Sequence, residues 1–222
     1  MEKIKNLHAL EQHGWLCEQS GEFRAWAAGA GRWRNFDQDQ GIYLAGDPPD
    51  GLYGLLDGAL ELTLPFDGED SVTLHRAGTG FWVGDLAVLS QRPRMISLIA
   101  ARRSRLFFIP TGKIHNLLAK EPRFWPSFYR LSNINQNLTL NLLAESLVLS
   151  PQKRVVRHLI RLSDAGDAIP ASHADLAKLI GVTRSTLQRA ITELADAGAI
   201  RTGYRQIEIL DRARLVGMSG LD

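Results

Sequence analysis

The stretch HADLAKLIGVTRSTLQRAITEL, residues 173–194, constrains the local fold more than any other part of the chain. Leu176, Ile180, Val182, Leu187 and Ala190 fall at helical spacing around a glycine, and small Ala177 stands four residues before Gly181. A helix-turn-helix needs this arrangement. The alanine lets the second helix approach closely, the glycine makes the tight turn, and the remaining apolar side chains form the core between the helices. Thr183 is placed to cap the second helix. That helix then carries Arg184, Ser185, Gln188 and Arg189 on its N-terminal and outer surface, where a recognition helix meets base edges in the major groove. Arginine donates two hydrogen bonds to guanine O6 and N7, glutamine pairs likewise with adenine, and each such contact is worth about 1–3 kcal/mol of discrimination. A two-helix packing unit with a solvated basic face is the alternative. The joint agreement of core, turn, cap and surface positions favours DNA binding.

Beyond Leu194, AGAIRTGYRQIEIL reads as a short strand, a turn at Gly203-Tyr204 and a strand with Ile207 and Ile209 inward. A helix-turn-helix with such a hairpin is a winged helix. Arg201, Tyr204 and Arg205 are then candidates for phosphate contacts, which add affinity but no sequence information; an exposed hairpin tip is the competing reading.

The N-terminal half has a different texture. From Phe36 to about Pro110, the apolar stretches IYLAG, LYGLLDGALELTLP, SVTLHRAG, FWVGDLAVL, MISLIA and RLFFIP are separated by turn pairs such as Asp47-Pro48, Asp57-Gly58, Asp67-Gly68 and Ala77-Gly78. Short strands with frequent turns predict an antiparallel sandwich or barrel. From Thr111 to Arg161 turn residues nearly vanish. Between Phe124 and Leu149, Leu131, Ile134, Leu138 and Leu142 form one stripe and Leu140, Leu143 and Leu147 another, which predicts one helix of about 22 residues, ~33 Å long. A helix apolar on two stripes can face its own domain with one and a second copy with the other. Ser150-Pro151 reads as a cap followed by proline at the first position of a new helix.

Charge and composition narrow the function. The net charge is +2, but residues 151–222 hold 11 Lys and Arg against 8 Asp and Glu, an excess suited to a polyanion partner. Cys17 is the single cysteine, which excludes an internal disulfide, a thiolate-rich zinc site and a multi-cysteine iron–sulfur cluster. No apolar run approaches the roughly 20 residues of a membrane span, and the opening residues lack a signal peptide's apolar region, so a cytoplasmic location is expected. No H-x-H pair, G-x-S-x-G elbow, phosphate-binding Walker loop or H-E-x-x-H helix is present, and an enzyme is not expected. His75 and His115 are the histidines in or near the β-region that haem ligation would call on; a structural role is the simpler reading.

With TRSTLQRAITEL matching a pattern of the form SRETVGRILKxL, the chain resembles the cAMP-receptor/fumarate-nitrate regulator (Crp/Fnr) superfamily of bacterial transcription factors over roughly residues 20–212. The resemblance implies an α+β fold of three parts. Residues 1–120 would form a double-stranded β-helix (jelly roll) of the cyclic-nucleotide-binding type, 121–149 a long dimerisation helix, and 150–222 a winged helix-turn-helix. It further implies a homodimer that binds a two-fold symmetric operator in double-stranded DNA and acts on RNA polymerase. Arg184 and Arg189 match the family's base-reading arginines, whereas Ser185 stands where a glutamate is frequent, so acceptance from a cytosine amino group is lost. GDLAVLSQRPRM, Gly84 to Met95, resembles the phosphate-binding cassette GELALxxxxPRA/S. By that resemblance Gly84, Asp85 and Arg94 contact an effector, with Thr139 near its base, the effector being cyclic AMP, another small molecule, or none if the pocket is inherited scaffold. Asp85 is one methylene shorter than the usual glutamate, and bulky Met95 replaces a small residue. Arg94, if buried, must bind an anion or pair with a carboxylate such as Asp85; otherwise it points to solvent. A signalling module that binds a ligand and a protein partner without DNA is the alternative function.

Overall fold

Turn pairs and strand ends coincide less often than the sequence suggests. The computed structural model describes Leu10 and residues 14–66, 71–163, 168–170, 172–204 and 206–219. A 3-10 helix at Trp15–Glu18 and helix α1 (Gly21–Ala30) precede strands β1 (Arg32–Phe36), β2 (Gly41–Tyr43), β3 (Gly51–Pro65), β4 (Ser71–Ala77) and β5 (Trp82–Val83). Helix α2 (Asp85–Ser90), strand β6 (Ser97–Pro110) and helix α3 (Thr111–Lys120) follow. The sheet order is β1-β6-β3-β4, with β2 also on β6 and β5 on β3, and every pairing is antiparallel.

Three strand expectations are overturned. Asp57-Gly58 is not a turn between strands but lies inside the 15-residue β3, and MISLIA and RLFFIP contribute to one 14-residue strand, β6. The cause is a bulge. The β3–β6 register shifts between Leu55 and Leu60, and Gly58 takes φ +110° where a Cβ would lie 2.2 Å from Ser104 Oγ. Glycine lets the strand bend against its neighbour and continue. In FWVGDLAVL only Trp82–Val83 is strand, because Gly84 turns the chain directly into α2. Asp67-Gly68 lies outside the described residues.

Alternation along β3 and β6 sends side chains to two cores. Leu52 and Ile109 join Trp15, Phe23, Trp82, Ile114 and Phe128 in a cluster shared with the helices. Their neighbours Tyr53 and Phe108 join Tyr43, Leu55, Leu60, Leu98 and Leu106 inside the roll. The long helix α4 (Trp125–Val148) has 24 residues, about 36 Å. Its Phe128 and Leu131 are buried, while Ile134, Leu140, Leu143, Leu147 and Val148 are exposed, so one apolar stripe is left without cover. The chain divides into compact units of residues 1–138 and 139–222, a division that falls within α4.

The second unit continues with α5 (Pro151–Ser163), β7 (Ala168–Pro170), α6 (His173–Ile180), α7 (Arg184–Asp196), β8 (Ile200–Gly203), β9 (Gln206–Ile209) and α8 (Arg212–Met218). Ser150 Oγ accepts from the Lys153 amide at 3.4 Å, and Pro151 opens α5. The predicted hairpin β8–β9 gains a third strand, β7, in the order β7-β9-β8. Val155, Leu159, Leu176, Ala177, Leu187, Ala190, Ile207 and Leu215 share its core. Glu145, near the end of α4, is 9% exposed and accepts from Arg157 Nε at 3.0 Å and from Arg161 Nη1 at 2.7 Å. Removing its charge leaves two partly covered guanidinium groups without their anion. Glu145→Gln is expected to lower stability by about 1–3 kcal/mol, below the cost of a fully dry pair because both arginines reach water; urea unfolding followed by helical circular dichroism checks it.

Candidate nucleic-acid interface and buried arginine site

Gly181 has φ +67°, a left-handed conformation that admits glycine without strain, and it carries the chain from α6 to α7. The Val182 amide donates to Ala177 O at 3.0 Å, and the Thr183 hydroxyl caps α7 by accepting from the Thr186 amide at 3.2 Å. With Leu187, Ala190, Ile191 and Leu194 turned inward, Arg184, Ser185, Gln188 and Arg189 stand exposed on the opposite side. Neither Arg184 nor Arg189 makes a hydrogen bond or ion pair among the described residues. The Ser185 hydroxyl lies 3.0 Å from Thr183 Oγ1, so it is tied to the cap.

The wing residues differ from one another. Tyr204 is 94% exposed at the hairpin tip. Arg201 instead forms a two-nitrogen pair with Glu208, its partner across the β8–β9 ladder. Arg205 lies outside the described residues.

In the N-terminal unit, Gly84 and Arg94 come together and Asp85 turns elsewhere. Gly84 adopts φ +103°, and a Cβ there would lie 2.5 Å from Arg94 Nη1 and 2.8 Å from Gly51 O. The loop carrying Arg94 is fixed by two backbone bonds, Arg94 N to Asp47 O at 2.9 Å and Gly46 N to Arg94 O at 2.8 Å. The side chain is directed inward, its Cζ 4.0 Å above the Tyr43 ring. Nη2 donates to Asp50 Oδ1 at 2.6 Å and to Gly51 O at 2.8 Å, and Nη1 lies 3.4 Å from Gly84 O. Of the fates open to Arg94, an anion, a carboxylate such as Asp85 or solvent, it takes a carboxylate, and that carboxylate is Asp50. Asp85, 4% exposed, is bound instead by α4, from Ser132 Oγ at 2.6 Å and Asn135 Nδ2 at 2.7 Å. Thr139 is exposed on α4 and belongs to the second compact unit.

Asp50, Tyr53 and Arg34 were not anticipated as site residues. Tyr53 donates to Asp50 Oδ2 at 2.5 Å and accepts from Arg34 Nη1 at 3.0 Å. Burial first, then the hydrogen bond to Asp50, pushes the Tyr53 phenol above the usual tyrosine range; burial does the same to Tyr43. Both therefore remain neutral near pH 7. Asp50 precedes a strand in PPDGLYG, with no motif around it. Ser132 and Asn135 directly follow Leu131 and Ile134 of the apolar stripe and lie beside it on the helix, but spacing alone does not name their partner. His115 Nε2 lies 2.9 Å from Val88 O and the His75 ring packs on Phe81, so both histidines have structural contacts. No cluster of three metal-ligating side chains occurs among the described residues, and no described helix is long and apolar enough to cross a membrane.

Residues 153–218 match the Crp-like helix-turn-helix domain, and residues 33–121 match the cyclic nucleotide-binding domain. The chain belongs to the Crp/Fnr family of transcription regulators. A CRP-like cAMP-activated global transcriptional regulator of Mycobacterium tuberculosis is 23% identical over 192 residues, covering 82% of this chain and 85% of that protein. The cyclic AMP receptor protein of Thermus thermophilus is 26% identical over 195 residues, with the same coverage. Among solved structures, FixK2 from Bradyrhizobium japonicum has TM-score 0.75 at 16% identity, covering 86% of this chain and 98% of that one. The regulator thus has the fold of the family: a cyclic-nucleotide-binding β-roll, helices and a Crp-like helix-turn-helix. Its own side chains do not fit a cyclic phosphodiester as they stand. The guanidinium that would meet the phosphate is taken by Asp50 and Gly51 O, and each Asp85 oxygen already accepts a hydrogen bond from α4.

Gly84 is the most sensitive backbone position of this site. Gly84→Ala combines a strained positive φ with a Cβ inside the Arg94 contact and is expected to cost about 2 kcal/mol or more. Thermal unfolding of the purified variant against wild type measures it.

Proposed function

We propose that the regulator acts as a homodimer, reading a two-fold symmetric operator in double-stranded DNA through α7 and acting on RNA polymerase bound nearby. The observation that carries this reading is the outer face of α7: Arg184, Ser185, Gln188 and Arg189 side by side, exposed, with both arginines free of internal ion pairs among the described residues. In that assignment Arg184 and Arg189 read bases, Gln188 supplies amide readout, Ser185 and the capping Thr183 bring the helix N-terminus to the backbone, and Tyr204 reaches a phosphate. Arg201 contributes less, because contact with DNA competes with its pair to Glu208. The uncovered stripe of α4, from Ile134 to Leu147, supports a seam between two copies.

Two recognition helices in such a dimer meet half-sites about 10–10.5 bp apart, or a multiple of this. A β-roll ligand shifts the equilibrium only by binding the DNA-competent arrangement better than the other. Selection from a randomised duplex pool at two salt concentrations tests the reading. A palindrome is expected to be enriched, with affinity falling as salt rises. Arg184→Ala and Arg189→Ala are each expected to lose about 1–3 kcal/mol of discrimination, roughly 5–150-fold, at one base pair per half-site. Enrichment of an asymmetric site by a monomer overturns the dimer, and variants that select as wild type does overturn the role of α7.

A further inference from the structure

A buried guanidinium needs an anion, and in this chain a side chain supplies it. The Arg94 side chain is 2% exposed, whereas that of Asp50 keeps 42%, so water reaches the carboxylate and not the cation. Asp50 holds its position by both oxygens, one on Arg94 at 2.6 Å and the other on Tyr53 at 2.5 Å. Arg34 stands behind them, 3.6 Å from Asp50 and with its guanidinium 3.6 Å from the centre of the Phe108 ring. Two arginines and one carboxylate share this corner, and the carboxylate lies on the side open to solvent.

We propose that Asp50 is a resident counter-ion that fills the anion seat of Arg94 and excludes phosphodiester ligands from it, making the regulator indifferent to cyclic nucleotides while that carboxylate is in place. This rests on reading residues 33–121 as the sensing unit of a DNA-binding regulator. A cyclic phosphodiester at this seat has two courses. It can displace Asp50 from Arg94 and Tyr53, exchanging one anion for another with little electrostatic gain. Otherwise it lies beside Asp50 as a second negative charge in a partly dry site, where like charges repel strongly. Both weaken binding. The chain's other ties point the same way, since Gly51 O takes a further Arg94 donor and Asp85 is committed to Ser132 and Asn135. Arg94 Nε is buried without an acceptor among the described residues. Removing the Asp50 charge therefore leaves a buried guanidinium with several unmet donors, the condition that draws an anion from solution.

Calorimetric titration of the full chain with cyclic AMP, cyclic GMP and inorganic phosphate tests this on wild type, Asp50→Asn, Asp50→Ala and the double variant Asp50→Asn/Arg94→Met. Wild type is expected to give no saturable binding at millimolar ligand, and both single variants to bind at least one of the three about 100-fold more tightly than wild type. The double variant loses the gain. Asp50→Asn keeps the shape of the side chain and an acceptor for Tyr53, which guards against simple unfolding. Thermal unfolding reports the same effect in a weakened variant: phosphate raises its melting temperature and leaves that of wild type unchanged. Equal binding by wild type and Asp50→Asn overturns the proposal, as does the absence of anion binding and of phosphate stabilisation in both single variants. Operator selection on the same preparations separates the two conclusions. A wild type that enriches a palindrome and binds cyclic AMP overturns the role of Asp50 alone, and one that enriches nothing while Asp50→Asn gains anion binding overturns DNA reading alone.

Discussion

Taking the guanidinium of Arg94 out of water is the constraint on which the N-terminal unit is organised. A charge at this depth is tolerated only with a counter-charge and acceptors for its remaining donors. Asp50, the carbonyls of Gly51 and Gly84 and the face of Tyr43 supply them from three separate segments of chain. Each segment is in turn held: the Arg94 loop by Gly46 and Asp47, Asp50 by the backbone bond from Thr111, and Gly84 by a φ that places it against the guanidinium. The arginine thus organises loops that share little sequence proximity. Backbone bonds from Arg94 N to Asp47 O and from Gly46 N to Arg94 O bring the two loops together, and the guanidinium adds the charge pairing with Asp50.

The same logic of compensated charge runs along α4. Ser132 and Asn135 satisfy the buried carboxylate of Asp85, and Glu145 receives two arginines of α5. One helix therefore carries polar ties of the first unit and, about 15 Å further along its axis, of the second. Its apolar residues divide as well, Phe128 and Leu131 covered and Leu140, Leu143 and Leu147 bare. In the proposed dimer, this bare face of the helix is the one that meets the second copy.

On α7 the opposite choice is made. The helix spends its apolar face on the small core with α6 and, among the described residues, leaves Arg184 and Arg189 without an ion pair, although Glu208 shows that an arginine of this unit can be neutralised across a strand pair. Unpaired arginines on an ordered surface cost little in water and attract a polyanion at long range. The β-roll unit and the helix-turn-helix unit thus handle arginine by contrasting rules: neutralised where dry, left open where wet.

Periodicity and turn chemistry were enough to determine the helix-turn-helix, the winged hairpin, the long helix and the residues exposed on α7, because these are local patterns whose partners lie within about twenty residues. Gly181, Ala177 and Thr183 announce their roles by spacing alone. The length of β3 and β6 was not legible, since Asp57-Gly58 has the composition of a turn and becomes a bulge only when a neighbouring strand continues past it. The sequence also marked Arg94 as a residue that needs a partner if buried, but left an anion, a carboxylate such as Asp85 and solvent all open. Which carboxylate answers was decided by the tertiary structure, where the start of β3 passes the Arg94 loop and α4 reaches Asp85 first. Charge pairing acts over a few ångströms in space and is blind to separation along the chain, so the identity of the counter-ion became readable only once the strands were in place.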